Sequence, residues 1–222
     1  MRKGDEKRLQ LLNDAEKLFC LRGYDKTSVQ DIIAAAGLSK GGFYHHFDSK
    51  DEVLKALCQR RAERAAAFTA EALDAVDASM ERINAVLHGF IPLRKEEAGF
   101  LTMLLPVIAK PEGRAVAMIY QDALESHFLP LLRKEVAAAS DTVFPPVKDV
   151  ESIVLNTVNH CWMGVAALLY TALREGRRPD TTVFLATLER YRRAVEVLLD
   201  APYGSIEILR VEALEEVTRA IG

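Results

Sequence analysis

Cysteine is scarce. The 222-residue chain has three, Cys20, Cys58 and Cys161, an odd number with no CxxC spacing. That excludes a disulfide framework, argues against a thiolate zinc site, and predicts reduced thiols in a cytoplasmic protein. A large excess of charge is also missing, since the formal net charge is −3. A molecule coated all over in positive charge is therefore excluded, but a local basic face is not. Residues 1–60 carry 11 Lys/Arg against 9 Asp/Glu, a net of +2, and the rest carry 18 against 23, a net of −5. A nucleic-acid partner would meet the N-terminal quarter. Long apolar runs are lacking too. The longest, about Cys161 to Leu173, falls short of the roughly 18–20 residues a membrane span needs. The opening "MRKGDEKRLQ" has no apolar core and is not a secretion signal.

Period-two alternation is absent, and helical periodicity runs almost throughout. The spacing predicts helices over 5–22, 28–35, 40–46 and from 49 to beyond 70. Further helices are expected over 79–90, 94–105, 112–137, 149–175, 181–200 and 205–220. Thr27 with Gln30, and Ser49 with Glu52, have the spacing of capping boxes, and Ser39 can cap the third helix. Pro92, Pro106, Pro111 and Pro130 are expected to break or kink the middle of the chain. Residues 140–149 read as a loop, and 175–180 as a tight polar turn.

Aromatic residues make up only 7% of the chain, yet rings crowd into one stretch, "GLSKGGFYHHFDSKDE", residues 37–52. Two short helices joined by "AGLS" form the helix-turn-helix pattern, with Gly37 supplying the turn. The second helix of that motif enters the DNA major groove by its N-terminal end. Gly41 and Gly42 would leave that end bare, so that backbone N–H groups can approach phosphate. Phe43 and Phe47, four apart, should face inward. The pairs Lys40 with Tyr44 and Gly41 with His45 should face DNA. Tyr44 offers a hydroxyl for phosphate and a ring for sugar or a thymine methyl. Thr27, Ser49 and Lys50 are expected at phosphates, and Ser28, Ser39, His45 and His46 complete the candidate DNA-contacting set. Neighbouring histidines on a helix point about 100° apart and no third ligand lies nearby, so a metal site is not expected.

Residues 10–57 resemble the DNA-binding domain of the TetR/AcrR family of bacterial transcriptional regulators, without a gap. The likeness includes Leu18–Phe19, Gly23–Tyr24, Thr27–Ser28, Ala36 through Gly41, Phe43–Tyr44, His46–Phe47 and Lys50. Ile33 stands where the family often has Ala. The resemblance implies an all-α homodimer. An N-terminal three-helix helix-turn-helix domain, here 1–50, would be joined by a long helix to a helical ligand-binding and dimerisation domain, here 51–222. It also implies that the last two long helices, 149–175 and 181–200, pair with those of a second copy. Val158, Val165, Phe184, Leu188, Tyr191 and Val195 are the residues expected at that interface. The effector pocket would lie among helices from about 79 to 175, lined by Phe100, Met103, Met118, Tyr120, His127, Asn159, His160 and Trp162. The tail 205–220 reads as an amphipathic helix.

The function these observations imply is a cytoplasmic regulator that releases a palindromic operator on binding a small, mostly apolar effector, with no cofactor and no membrane partner. One alternative is a DNA-bound regulator working through a protein partner. The other is an all-helical enzyme. For the enzyme, no nucleophile with a base at motif spacing, no phosphate-binding glycine loop and no metal-ligand cluster is visible.

Overall fold

The computed structural model describes residues 3–91, 93, 98–139, 149–177 and 181–210, together with 212, 215, 216 and 219. Nine α-helices follow one another among them, with no strand. They are α1 Lys3–Arg22, α2 Val29–Ala35, α3 Lys40–Tyr44, α4 Lys50–Leu73, α5 Ser79–Phe90, α6 Ala98–Ile108, α7 Arg114–Ala139, α8 Val150–Arg174 and α9 Thr181–Leu198. Helices continue past Pro106 and Pro130, which lie inside α6 and α7. Pro111 opens a 3-10 turn before α7, where its missing N–H costs nothing. The expected loop at 140–149 and turn at 175–180 fall mostly outside the described residues.

The chain forms two compact units, and they differ from a division at residue 50. The first joins residues 1–61 with 99–120 and the second joins 62–98 with 121–222. In the first unit, Leu11, Leu12, Ala15 and Phe19 of α1 pack into a core with Ile32, Phe43, Phe47, Leu54 and Leu57. Glu16 of α1 binds both Arg60, at 2.5 Å, and Arg61 on α4. The Arg61 guanidinium lies 4.0 Å from the ring centroid of Phe100 on α6. Lys110, just past α6, pairs with Asp25 in the turn between α1 and α2. The turn into α7 is close, because a Cβ on Gly113 would overlap the Val107 carbonyl. These contacts bring α6 to the helix-turn-helix, at a sequence separation that periodicity does not report.

In the second unit, α8 packs on α5 and most extensively on α9. Phe90 and Phe128 meet edge to face at 5.7 Å. A Cβ on Gly89 would run into the Thr69 hydroxyl and lie 2.9 Å from the Phe128 ring, so α4, α5 and α7 cross there at backbone distance. Arg82 joins three elements. It holds Glu135 of α7 with two nitrogens, at 2.5 and 3.0 Å, and donates to the Leu73 and Val76 carbonyls at the end of α4.

By length and composition α8 could cross a membrane, although its apolar run was expected to be too short. Eleven of its 25 residues are buried in the second unit, including Val154, Leu155, Trp162 and Leu169, which accounts for its apolar character. Residues 205–210 are not helical. Ile206, Ile208 and Leu209 are buried along a bent, extended segment; of the rest of the expected tail helix, 212, 215, 216 and 219 are helical and the others lie outside the described residues.

Candidate nucleic-acid interface

Two caps and one turn build the motif. Ser28 is the N-cap of α2, and its hydroxyl accepts from the Asp31 amide at 3.1 Å. Asp31 in turn accepts from the Ser28 amide at 2.8 Å, completing a capping box. These bonds from Ser28 hold the Asp31 carboxyl below its usual range. The box was expected one residue earlier, on Thr27 and Gln30. Thr27 is instead 1% exposed and its hydroxyl donates to the Gly23 carbonyl at 2.9 Å. A side chain so enclosed cannot reach a phosphate, and of these two adjacent hydroxyls only that of Ser28 lies at the surface.

α2 ends in a Schellman motif. Leu38 N–H bonds the Ile33 carbonyl at 3.1 Å, Gly37 N–H bonds Ala34 at 3.3 Å, and Gly37 takes φ +60°, which a Cβ would resist. Ser39 then caps α3 through the Gly42 amide at 3.1 Å. Gly41 has open space where its Cβ would be, so the backbone at the start of α3 is bare.

α3 is shorter than the expected 40–46, ending at Tyr44 with His45 as its C-cap. Its faces fall as the spacing predicts. Phe43 and Phe47 are buried, while Lys40, Gly41, Tyr44 and His45 are exposed. His46 is half-buried, its ring edge-on to His45 at 5.0 Å. Burial, with His45, Arg8 and Lys7 nearby, lowers its imidazole below the usual range. Arg8 lies over the Phe47 ring at 4.8 Å. Arg8 and Lys7 therefore add positive charge beside α3. The sequence signal that could have found them is Arg8's place one turn before buried Leu12.

Lys50 is turned inward. Its ammonium donates to the Tyr24 and Thr27 carbonyls, both at 2.9 Å, and sits 4.2 Å from the centroid of the Tyr24 ring. Tyr24 also donates its hydroxyl to Asp51, and burial and that carboxylate push the phenol well above its usual range. Lys50 thus ties the start of α4 to the turn before α2, a role not read from the sequence.

Of the residues expected at the effector pocket, Phe100 and Tyr120 meet edge to face at 6.3 Å in the first unit. Phe100, Met103 and Tyr120 are buried in the first unit, where Met118 is exposed. In the second, Asn159 and Trp162 are buried, His127 is exposed, and exposed His160 is bonded through Nδ1 to the Asn156 carbonyl at 2.8 Å. A cavity of about 250 Å³ lies elsewhere in the second unit. Phe68 and Ala72 of α4, Ala85 and Gly89 of α5, Leu93 and Leu209 supply apolar wall. Thr69, His88 and Arg210 are its polar side chains. Of the residues expected at the dimer interface, Val158, Val165, Phe184, Leu188 and Val195 are buried within the chain itself, and Tyr191 is half-buried. Their stripe is the contact between α8 and the rest of the unit. The outward faces carry Ile153, His160, Met163 and Ala167 on α8, and Val183, Ala186, Arg190, Ala194 and Val197 on α9.

Residues 11–57 match the family model of bacterial regulatory proteins, tetR family. The HTH-type transcriptional repressor KstR2 of Rhodococcus jostii is 35% identical over 106 residues, 43% of this chain and 52% of that protein. The HTH-type transcriptional activator FasR of Mycolicibacterium smegmatis is 26% identical over 133 residues, 59% of this chain and 61% of that one. The matches thus span about half the length of these relatives. Among solved structures, the transcriptional regulator FadR from Bacillus subtilis, in complex with stearoyl-CoA, superposes with a TM-score of 0.56. That match has 15% identity and covers 88% of this chain and 99% of that chain. A likeness at that identity speaks for the all-helical fold, whereas the family model falls on the capped helices and glycine turn that present α3. Residues 11–57 belong to the tetR family of bacterial regulatory proteins.

Proposed function

We propose that this protein is a ligand-responsive transcriptional regulator that binds a palindromic operator as a homodimer and releases it when a small, mostly apolar effector enters the second unit. The observation that carries the reading is the exposed face of α3. Lys40, Tyr44 and His45 stand on a bare, capped helix start. A helix of five residues touches few bases, and two related by a twofold axis read half-sites about one DNA turn apart, roughly 34 Å. The outward stripes of α8 and α9 are the surfaces we assign to the second copy. Release, rather than recruitment, is the sense we favour, although one relative is a repressor and the other an activator. The cavity supports an effector, as does the acyl-CoA bound to a protein of the same fold. α4 is the route we assign to the signal, because its residues belong to both units without a Gly or Pro between them. The protein would act in the cytoplasm, where its operator lies.

The test is equilibrium binding to DNA from its own regulatory region across a salt series. Tyr44→Ala should weaken specific binding by roughly 5- to 150-fold, the range of about 1–3 kcal/mol for a good base contact. Lys40→Ala should weaken all sequences alike and lower the salt slope by about one. Unchanged affinity and slope in both variants would reject α3 as the reading helix.

A further inference from the structure

Two of the residues that line the cavity, His88 and Arg210, flank a carboxylate of the chain, that of Glu207. His88 Nε2 is buried and has no hydrogen-bond partner. It lies 3.4 Å from the Glu207 carboxylate, in an approach not aligned as a hydrogen bond. The same carboxylate lies 3.7 Å from Nε of Arg210, a residue lining the cavity with a side chain 67% exposed. The carboxylate itself is half-exposed. Burial lowers the His88 imidazole below its usual range, against the pull of the Glu207 carboxylate and a backbone bond to Glu207. Arg210 supplies the charge.

We propose that this cavity binds a small hydrophobic monocarboxylic acid, whose carboxylate takes the place of Glu207 against His88 and Arg210. Ala85, Leu93 and Leu209 would hold its apolar body. The exchange leaves no charge stranded. One carboxylate replaces another beside one guanidinium, and Glu207 swings into the solvent it already meets. The backbone need not move with it. Asn84 accepts from the Glu207 amide and donates to the Ser205 carbonyl, both at 2.9 Å, so the segment carrying Leu209 and Arg210 stays anchored. An exposed ion pair three residues apart is weakly held, so its displacement asks little of a ligand. An apolar cavity of about 150 Å³ takes benzene, so the volume of about 250 Å³ suits a ligand of roughly ten heavy atoms. An amine is disfavoured, since the cavity's own charged group is a guanidinium.

This inference deepens the reading of the cavity as an effector site. Its test is read on the free full-length protein, so failure to bind is distinguishable from failure to release an operator. The probes are octanoate and octanamide, equal in length and differing in charge, titrated by calorimetry. Octanoate should bind at least roughly tenfold tighter, the size of one charged hydrogen bond. Arg210→Gln should abolish that preference. Glu207→Gln, which removes the competing charge, should tighten octanoate by roughly 3- to 10-fold. Ala85→Phe should block both probes while the helical circular-dichroism signal is kept. Equal binding of acid and amide would overturn the proposal, as would weaker octanoate binding in Glu207→Gln. Arg210 and Glu207 are at the surface, so those two variants decide the matter even if Ala85→Phe fails to fold.

Discussion

Lys50 holds three pieces of backbone together with one ammonium: the start of α4 and the Tyr24 and Thr27 carbonyls of the turn before α2. A cation so placed serves the geometry of the motif before it serves DNA. Each hydrogen bond from a charged donor contributes about 1.5–3 kcal/mol net. Lys50→Met keeps the stem that crosses the Tyr24 ring and removes both bonds. It should therefore lower unfolding stability by at least roughly 1.5–3 kcal/mol, read by urea titration. A variant with unchanged midpoint and slope but a salt dependence reduced by about one would return Lys50 to the phosphate role expected from the sequence. Thr27 and Ser28 make the same point with the opposite exposure. Adjacent hydroxyls of similar capping ability differ because one is sealed beneath the end of α1 and the other caps α2 at the surface.

Among the elements, the corner between α6 and α7 is the tightest in the first unit. Gly113 is needed there for closeness and not for a left-handed backbone, since its Cβ would overlap the Val107 carbonyl. The Lys110–Asp25 pair lies three residues before it and reaches the turn between α1 and α2. Gly113→Ala must push the corner open, with a destabilisation of about 1–3 kcal/mol typical of overpacking. Hydrogen exchange should rise in both α6 and the turn at residues 23–28. Exchange that rises in α6 alone would mean that the corner does not brace the helix-turn-helix. The motif itself was legible because its determinants are local: the Ser39 cap, one glycine turn and a four-residue spacing of rings. The place of α6 was not, because Asp25 and Lys110 are 85 residues apart and neither is unusual in its own surroundings.

For the whole molecule, the exposed faces of α8 and α9 set what an interface test should be. Charge at Val195, which is buried within the chain, would bury an unpaired carboxylate and unfold the unit. Ala186→Glu with Ala194→Glu places charge on the outward stripe of α9 and leaves the core alone. Sedimentation should then show folded monomers that bind a full operator weakly and a half-site normally. A stable dimer in that double variant would move the interface off α9.

The sequence by itself determined the helical class, nearly every helix, the Ser39 and Ser49 caps, the glycine turn and the two faces of α3. All of these follow from contacts within one or two helical turns, where residue type and spacing decide the outcome. Only the tertiary structure decided that Thr27 and Lys50 turn inward, that Val158 and Val195 belong to the chain's own core, and that Phe68, His88 and Leu209 enclose one cavity. A periodic apolar stripe says that a face is buried but not by what. A cavity is set by side chains on segments more than a hundred residues apart, and no local pattern carries its shape.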